Sequence, residues 1–175
     1  MSPVLFVYLG LPMRFLTVIV TFAWLIFFCG SAKLLADDLA PLFSLKSLKD
    51  DRVHALEDYR GKVIYLDFWA SWCGPCRKSL PALSKLQDEL GHESFEVLAI
   101  NLDGNPRDGL AFLKQYPVSY TVLADRSGKT SRAYDLVGLP SSVLIDKRGI
   151  IVSSWQGFHP SHIDKLRTAI GYLTE

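Results

Sequence analysis

The residues Trp72-Cys73-Gly74-Pro75-Cys76 set two thiols two positions apart, after an apolar run from Lys62 to Trp69 and before a run of helical spacing. Cysteines this close can alternate between a dithiol and a disulfide. Disulfide exchange needs a thiolate, so the attacking cysteine must have a lowered pKa. A helix N-terminus supplies this through its unpaired amide N–H groups and the positive end of its dipole. Cys73 is expected at such an end, as the exposed attacking thiol. Cys76 is expected one turn in, beneath Cys73, as the resolving thiol. Pro75 suits a position where a missing N–H costs nothing. Gly74 is expected to let the backbone approach closely. Exchange then passes through a mixed disulfide on Cys73 that Cys76 releases. As a staple the pair would close a very short loop and add little stability, so reactivity accounts for it better.

The rival for a Cys-x-x-Cys pair is half of a zinc site, which wants a second pair of ligands. The histidines are His54, His92, His159 and His162. The first two are scattered, and the other two fall where a helix cap explains them. No metal is expected.

These thiols need elements to hold them. Leu42 to Tyr59 alternates short apolar pairs with charges, as in a small hairpin leading into the domain. Val63 to Trp69 reads as a strand buried on both faces. Pro75 to Leu90 is helical, with Leu80, Leu83, Leu86 and Leu90 on one face and Pro81 expected to kink it. Phe95 to Leu102 is a second buried strand, Arg107 to Tyr116 a helix, Tyr120 to Leu123 a short strand and Lys129 to Tyr134 a helical piece. Ser142 to Ile145 and Ile150 to Trp155 form a hairpin about Lys147-Arg148-Gly149. Pro160 to Leu173 is a closing helix capped at His159 or Ser161. Strands alternate with helices and a hairpin follows, which predicts an α/β fold with a central mixed sheet flanked by helices.

The chain has 175 residues and a net charge of +1, from 19 basic and 18 acidic side chains, so nucleic acid is not expected as a partner. Residues 15–28 carry no charge and follow Arg14, the pattern of a secretory signal. Gly30-Ser31-Ala32 permits cleavage after Ala32, with Ala36 a poorer site. Extended to Leu35, the run reaches the ~20 residues an uncleaved anchor needs. Met13, directly before Arg14, is a second candidate start. Cys29 follows the bulky Phe28, which argues against lipidation. Residues 1–36 are therefore expected to be a signal peptide or a membrane anchor, and residues 37–175 the globular domain.

The run from Asp67 through Cys76 closely resembles thioredoxin. Gly138-Leu139-Pro140-Ser141 resembles the family's cis-proline loop, and Pro81 matches its helix-kinking proline. The resemblance spans Leu42 to Leu173. The export segment and the long stretch from Pro106 to Pro140 are similar to the TlpA/ResA subgroup, which has an added N-terminal hairpin and a central strand–helix insert. The resemblance implies a thioredoxin fold in which Cys73 and Cys76 are the redox pair and Asp67 is the buried acid that takes the proton from Cys76. A carboxyl on a buried strand without a cationic partner has a raised pKa, as a general base needs. Pro140 is the implied cis-proline, leaving the Leu139 backbone free to pair with a substrate strand. Trp72 is expected to cover the disulfide. Gly74 and Pro75 complete the implied substrate contacts.

Two positions depart from the family. Ser79 stands where the TlpA/ResA subgroup often has glutamate. The lysine that accompanies the buried acid in thioredoxin maps near Ala99. The resemblance implies an exported thiol–disulfide oxidoreductase, periplasmic or held at the inner membrane, which reduces protein disulfides. It implies a monomer, no organic cofactor, and a membrane electron donor that transfers thiol equivalents. The rivals are a thiol peroxidase, whose Pro-x-x-x-Thr/Ser-x-x-Cys frame is missing, and a non-catalytic adaptor, which has no use for an intact Cys-x-x-Cys.

Overall fold

Side-chain alternation along one buried strand decides how the sheet is covered. The computed structural model describes residues 39–175. The expected signal or anchor, residues 1–36, and Cys29 lie outside the described residues. The apolar run after Gly61 forms β3 (Val63–Trp69), buried throughout. Before it, β1 (Ser44–Ser47) and β2 (Val53–Ala55) form the expected antiparallel hairpin, followed by a 3-10 turn at Leu56–Tyr59. After it come α1 (Cys76–Leu90), β4 (Phe95–Asn101), α2 (Pro106–Gln115), β5 (Thr121–Ala124) and α3 (Lys129–Ala133). Then β6 (Ser141–Ile145), β7 (Ile151–Gln156) and α4 (Ser161–Thr174) follow.

The strands form one mixed sheet in the order β2-β1-β5-β4-β3-β6-β7. β3, β4 and β5 are parallel, while β1 runs antiparallel to β5 and β6 antiparallel to β3. Val63, Tyr65 and Trp69 face one layer, built on Leu80, Leu83 and Leu86 of α1 and Leu166 and Ile170 of α4. Ile64, Leu66 and Phe68 face the other, built on Ala40, Phe43, Leu56 and Tyr134. This is the full two-sided burial that a continuous apolar strand requires.

Local chemistry sets the ends of the elements. Asn105 caps α2 by accepting the Arg107 N–H at 3.2 Å, and Pro106 occupies the first turn. The β6–β7 turn is held by Asp146, whose Oδ1 accepts the N–H groups of Arg148 and Ile150, both at 2.9 Å. Gly149 takes a φ of 86° there, which an L side chain resists. The expected cap of α4 at His159 or Ser161 is displaced. Pro160 is the cap residue and makes no side-chain capping bond, while the Ser161 N–H reaches only the His159 ring, at 3.4 Å.

The topology brings one edge of the sheet to matter. Parallel strands β3, β4 and β5 all end there, and α1, α2 and α3 start from it. β6 runs the other way, so its first residue, Ser141, pairs with Phe68 at the same edge. Among the described residues no helix is long and apolar enough to cross a membrane.

Candidate active site

Cys73 lies in the loop between β3 and α1, and Cys76 is the first residue of α1. They are joined in a disulfide of 2.08 Å with Cα atoms 5.4 Å apart. Pro75 is the cap residue of α1. The first turn is tight, with the Cys76 N–H reaching the Cys73 carbonyl at 3.2 Å and the Arg77 N–H the Gly74 carbonyl at 3.3 Å.

Two expectations about this loop need correction. Cys73, read as exposed, retains only 4% of its surface, against 0% for Cys76. The bond to the buried Cys76 draws the Cys73 side chain onto the core layer shared with Trp69 and Leu80. Cys73 is still the more accessible of the two. Gly74, read as a point of close backbone approach, is open: a side-chain carbon there would meet nothing within 4 Å. Its missing side chain leaves room outside the disulfide rather than inside the fold.

Asp67 lies on the face of β3 that α1 covers, in line with Tyr65 and Trp69. It is 2% exposed, and its Oδ2 has no hydrogen-bond partner. Burial pushes its carboxyl up to about 8. The strand position beside it is Ala99, so no lysine shares the register there. The charge of Asp67 also adds to the burial that raises Tyr65 and Tyr120 above the ordinary phenol range. Ser79, at the position where the subgroup often has glutamate, is buried at 1% with its hydroxyl turned back to the Cys76 carbonyl at 3.5 Å.

The Leu139–Pro140 peptide is cis. Pro140 gives its carbonyl to the Gly157 N–H at 2.7 Å, whereas Leu139 makes no backbone hydrogen bond to another described residue. Leu139 and Trp72 line one groove of about 200 Å³ with Leu102, Leu136 and Val137. The Trp72 indole, expected to cover the disulfide, is 71% exposed and forms a wall of this groove.

A polar network that the motif reading missed pins the loop. The Ser71 N–H donates to both Asp103 oxygens, at 3.2 and 3.0 Å, and its hydroxyl donates to Oδ1 at 2.9 Å. Asn101 Nδ2 donates to the other oxygen at 2.8 Å. Gly109 makes room for that amide, since a Cβ there would lie 2.9 Å from Asn101 Oδ1. The cluster Asn101-Leu102-Asp103-Gly104-Asn105, directly after a buried strand, is the available signal. His162 caps nothing: it packs on Trp155 and Tyr65, with ring centroids 4.6 and 6.3 Å away. Among the described residues no cluster of His, Cys, Asp and Glu could hold a metal ion.

The loop, its acid and the facing groove can be set beside known proteins. The thiol–disulfide oxidoreductase ResA of Geobacillus kaustophilus is 34% identical over 124 residues, 70% of each chain. That of Bacillus thuringiensis is 32% identical over 118 residues, 67% of this chain and 68% of its own. A crystal structure assigned as thiol:disulfide interchange protein DsbE of Chlorobium tepidum matches with a TM-score of 0.75 at 40% identity, covering 79% of this chain and 96% of that one. The AhpC/TSA family pattern matches residues 36–154, so the chain belongs to the AhpC/TSA family, among thioredoxin-like proteins that include the ResA oxidoreductases.

Proposed function

We propose that this protein is an exported thiol–disulfide oxidoreductase that reduces disulfides in client proteins. The observation that carries the reading is the Cys73–Cys76 disulfide at the end of a buried strand, on the face that holds the unpartnered Asp67. In the reduced protein the Cys73 thiolate attacks one sulfur of a client disulfide. A Cys73–client S–S bond forms, the client S–S bond breaks, and the first client sulfur leaves as a thiolate. Asp67 takes the proton of Cys76. The Cys76 thiolate then attacks the Cys73 sulfur, closing the Cys73–Cys76 disulfide and releasing the second client thiolate. Two electrons pass from the protein to the client. Leu139, with its free backbone, aligns the client strand, and Trp72, Gly74 and Pro75 form the surface it meets.

The pair must be reduced again from outside, and a membrane donor of thiol equivalents fills that role. The apolar run at residues 15–28, as a signal or an anchor, supports action on the periplasmic side of the inner membrane. No metal or organic cofactor takes part in the steps above.

The test is a pair of serine variants in an insulin-reduction assay driven by dithiothreitol. Cys73→Ser abolishes exchange. Cys76→Ser holds clients as mixed disulfides through Cys73, visible as thiol-sensitive bands on a gel. Alkylation of Cys76 ahead of Cys73 in the reduced protein would reverse the roles. Consumption of hydrogen peroxide without insulin reduction would replace the reading with a peroxidase.

A further inference from the structure

The groove between Trp72 and Leu139 carries more information than a docking role requires. Its walls are apolar on the inside, from Leu102, Leu136 and Leu139, and its rim holds two large apolar side chains facing solvent. Trp72 is 71% exposed and Val137 87%, although neither serves the core. A volume of about 200 Å³ accepts one side chain of a bound segment. Past Val137 the surface opens into a second cleft of about 300 Å³, with Ser141, Ser154 and Gln156 on its walls. The two share Leu136 and Val137, so an extended segment can lie across both.

The groove also carries a charge. Arg132 lines the groove. Its guanidinium donates to the Ser127 carbonyl at 3.0 Å and meets no carboxylate among the described residues. Asp108 is exposed on the first turn of α2 but lines neither cleft. Asp103 is bound by Ser71 and Asn101, and Asp125 accepts the N–H groups of Lys129 and Ser131. Asp135 is exposed and lines the second cleft but not the groove. The groove thus holds a cation without a carboxylate partner, and the second cleft an exposed carboxylate.

Building on the exchange reading above, we infer that the preferred clients present their disulfide in an extended segment with an apolar side chain beside the reactive cysteine and a carboxylate on the side that meets Arg132. The apolar side chain fills the groove by Trp72, the Leu139 backbone takes the strand, and the carboxylate pairs with Arg132. Attraction between exposed charges of opposite sign raises the encounter rate and fades as salt shortens its reach.

The experiment uses the reduced full chain and peptides that carry one disulfide to a fluorescent thiol. They differ only in the two residues flanking a Leu-Cys core, either Glu or Lys. At ionic strength near 20 mM the Glu peptide is reduced about tenfold faster than the Lys peptide, and near 0.5 M salt the ratio falls toward one. Arg132→Gln shrinks the ratio and Arg132→Glu shrinks it further, in that order. Replacing the peptide leucine by serine slows both peptides. Equal rates for the Glu and Lys peptides at low salt, or faster reduction of the Lys peptide, overturn the inference while leaving exchange itself standing. Failure to reduce any peptide, or insulin, overturns the exchange reading and the inference with it.

Discussion

Asp67 places a carboxyl in the interior without a partner, and its proton affinity fixes the pH at which that weakens the fold. The unfolded value is near 3.9; burial raises the folded one to about 8. Between these values the folded protein holds more protons than the unfolded chain, so stability falls as pH rises. It is greatest below about pH 4, declines through neutrality and levels off above pH 8. In the oxidised protein, Asp67→Asn removes this slope. The variant gains on the parent as pH rises, by no more than about 4 kcal/mol at pH 7. Urea unfolding at pH 5 and pH 8 reads the difference. Parent and variant curves that stay parallel would remove the buried-acid account. The same variant slows release of mixed disulfides, because Cys76 loses its proton acceptor. At this scale the thiols were legible because five consecutive residues carry the pattern. Ser71 and Asp103 were not, because their contact spans two strands and neither residue is unusual alone.

Helix α1 aims its first residue at the reaction and fastens its last turn to the sheet. Gln87 does the fastening. Its Oε1 accepts the Val97 N–H at 2.6 Å, and its Nε2 donates to the carbonyls of Gly91 at 2.6 Å and Phe95 at 3.3 Å. β5 meets β4 only from Leu98 onward, so the Gln87 amide serves ladder groups that no strand reaches. Gln87→Leu leaves the Val97 N–H buried and unpaired, and is expected to cost about 2–3 kcal/mol. The urea midpoint falls, while exchange per folded molecule keeps its rate. An unchanged midpoint would show that water or a shifted strand replaces the amide. The leucine spacing correctly located the apolar face of α1. Gln87, one residue beyond Leu86, was invisible to that reading because polarity alone does not distinguish a buried stitch from a solvated side chain. Leu90, counted on the face, sits partly exposed where the helix ends.

Across the whole molecule, the alternation of strands and helices was enough to anticipate a mixed sheet. The place of the hairpin in it was not: Lys46 pairs with Ala124 across a long stretch of chain, a non-local contact that local spacing cannot reveal. The direction of electron flow also belongs to this scale. Gly74 and Pro75 put no polar or basic side chain between the thiols, and Arg77 and Lys78 are exposed positions where salt weakens their pull on Cys73. The potential is expected nearer thioredoxin's roughly −270 mV than an oxidant's −120 mV or so. Thiol trapping in growing cells then finds the pair mostly reduced. A fully oxidised pair with a potential above that of glutathione would make the protein a disulfide donor instead. The groove has a further consequence. Trp72 follows β3, Leu139 precedes β6 and Leu102 follows β4, so the opening of about 200 Å³ lies at the ends of three neighbouring strands. A cleft that admits one side chain does not admit the rounded surface of a folded domain. A client whose disulfide is packed inside must first open locally, and that opening sets the ceiling on turnover. With such a client the observed rate stops rising as more of the reduced protein is added, and its plateau reports the breathing of the client rather than the chemistry of Cys73.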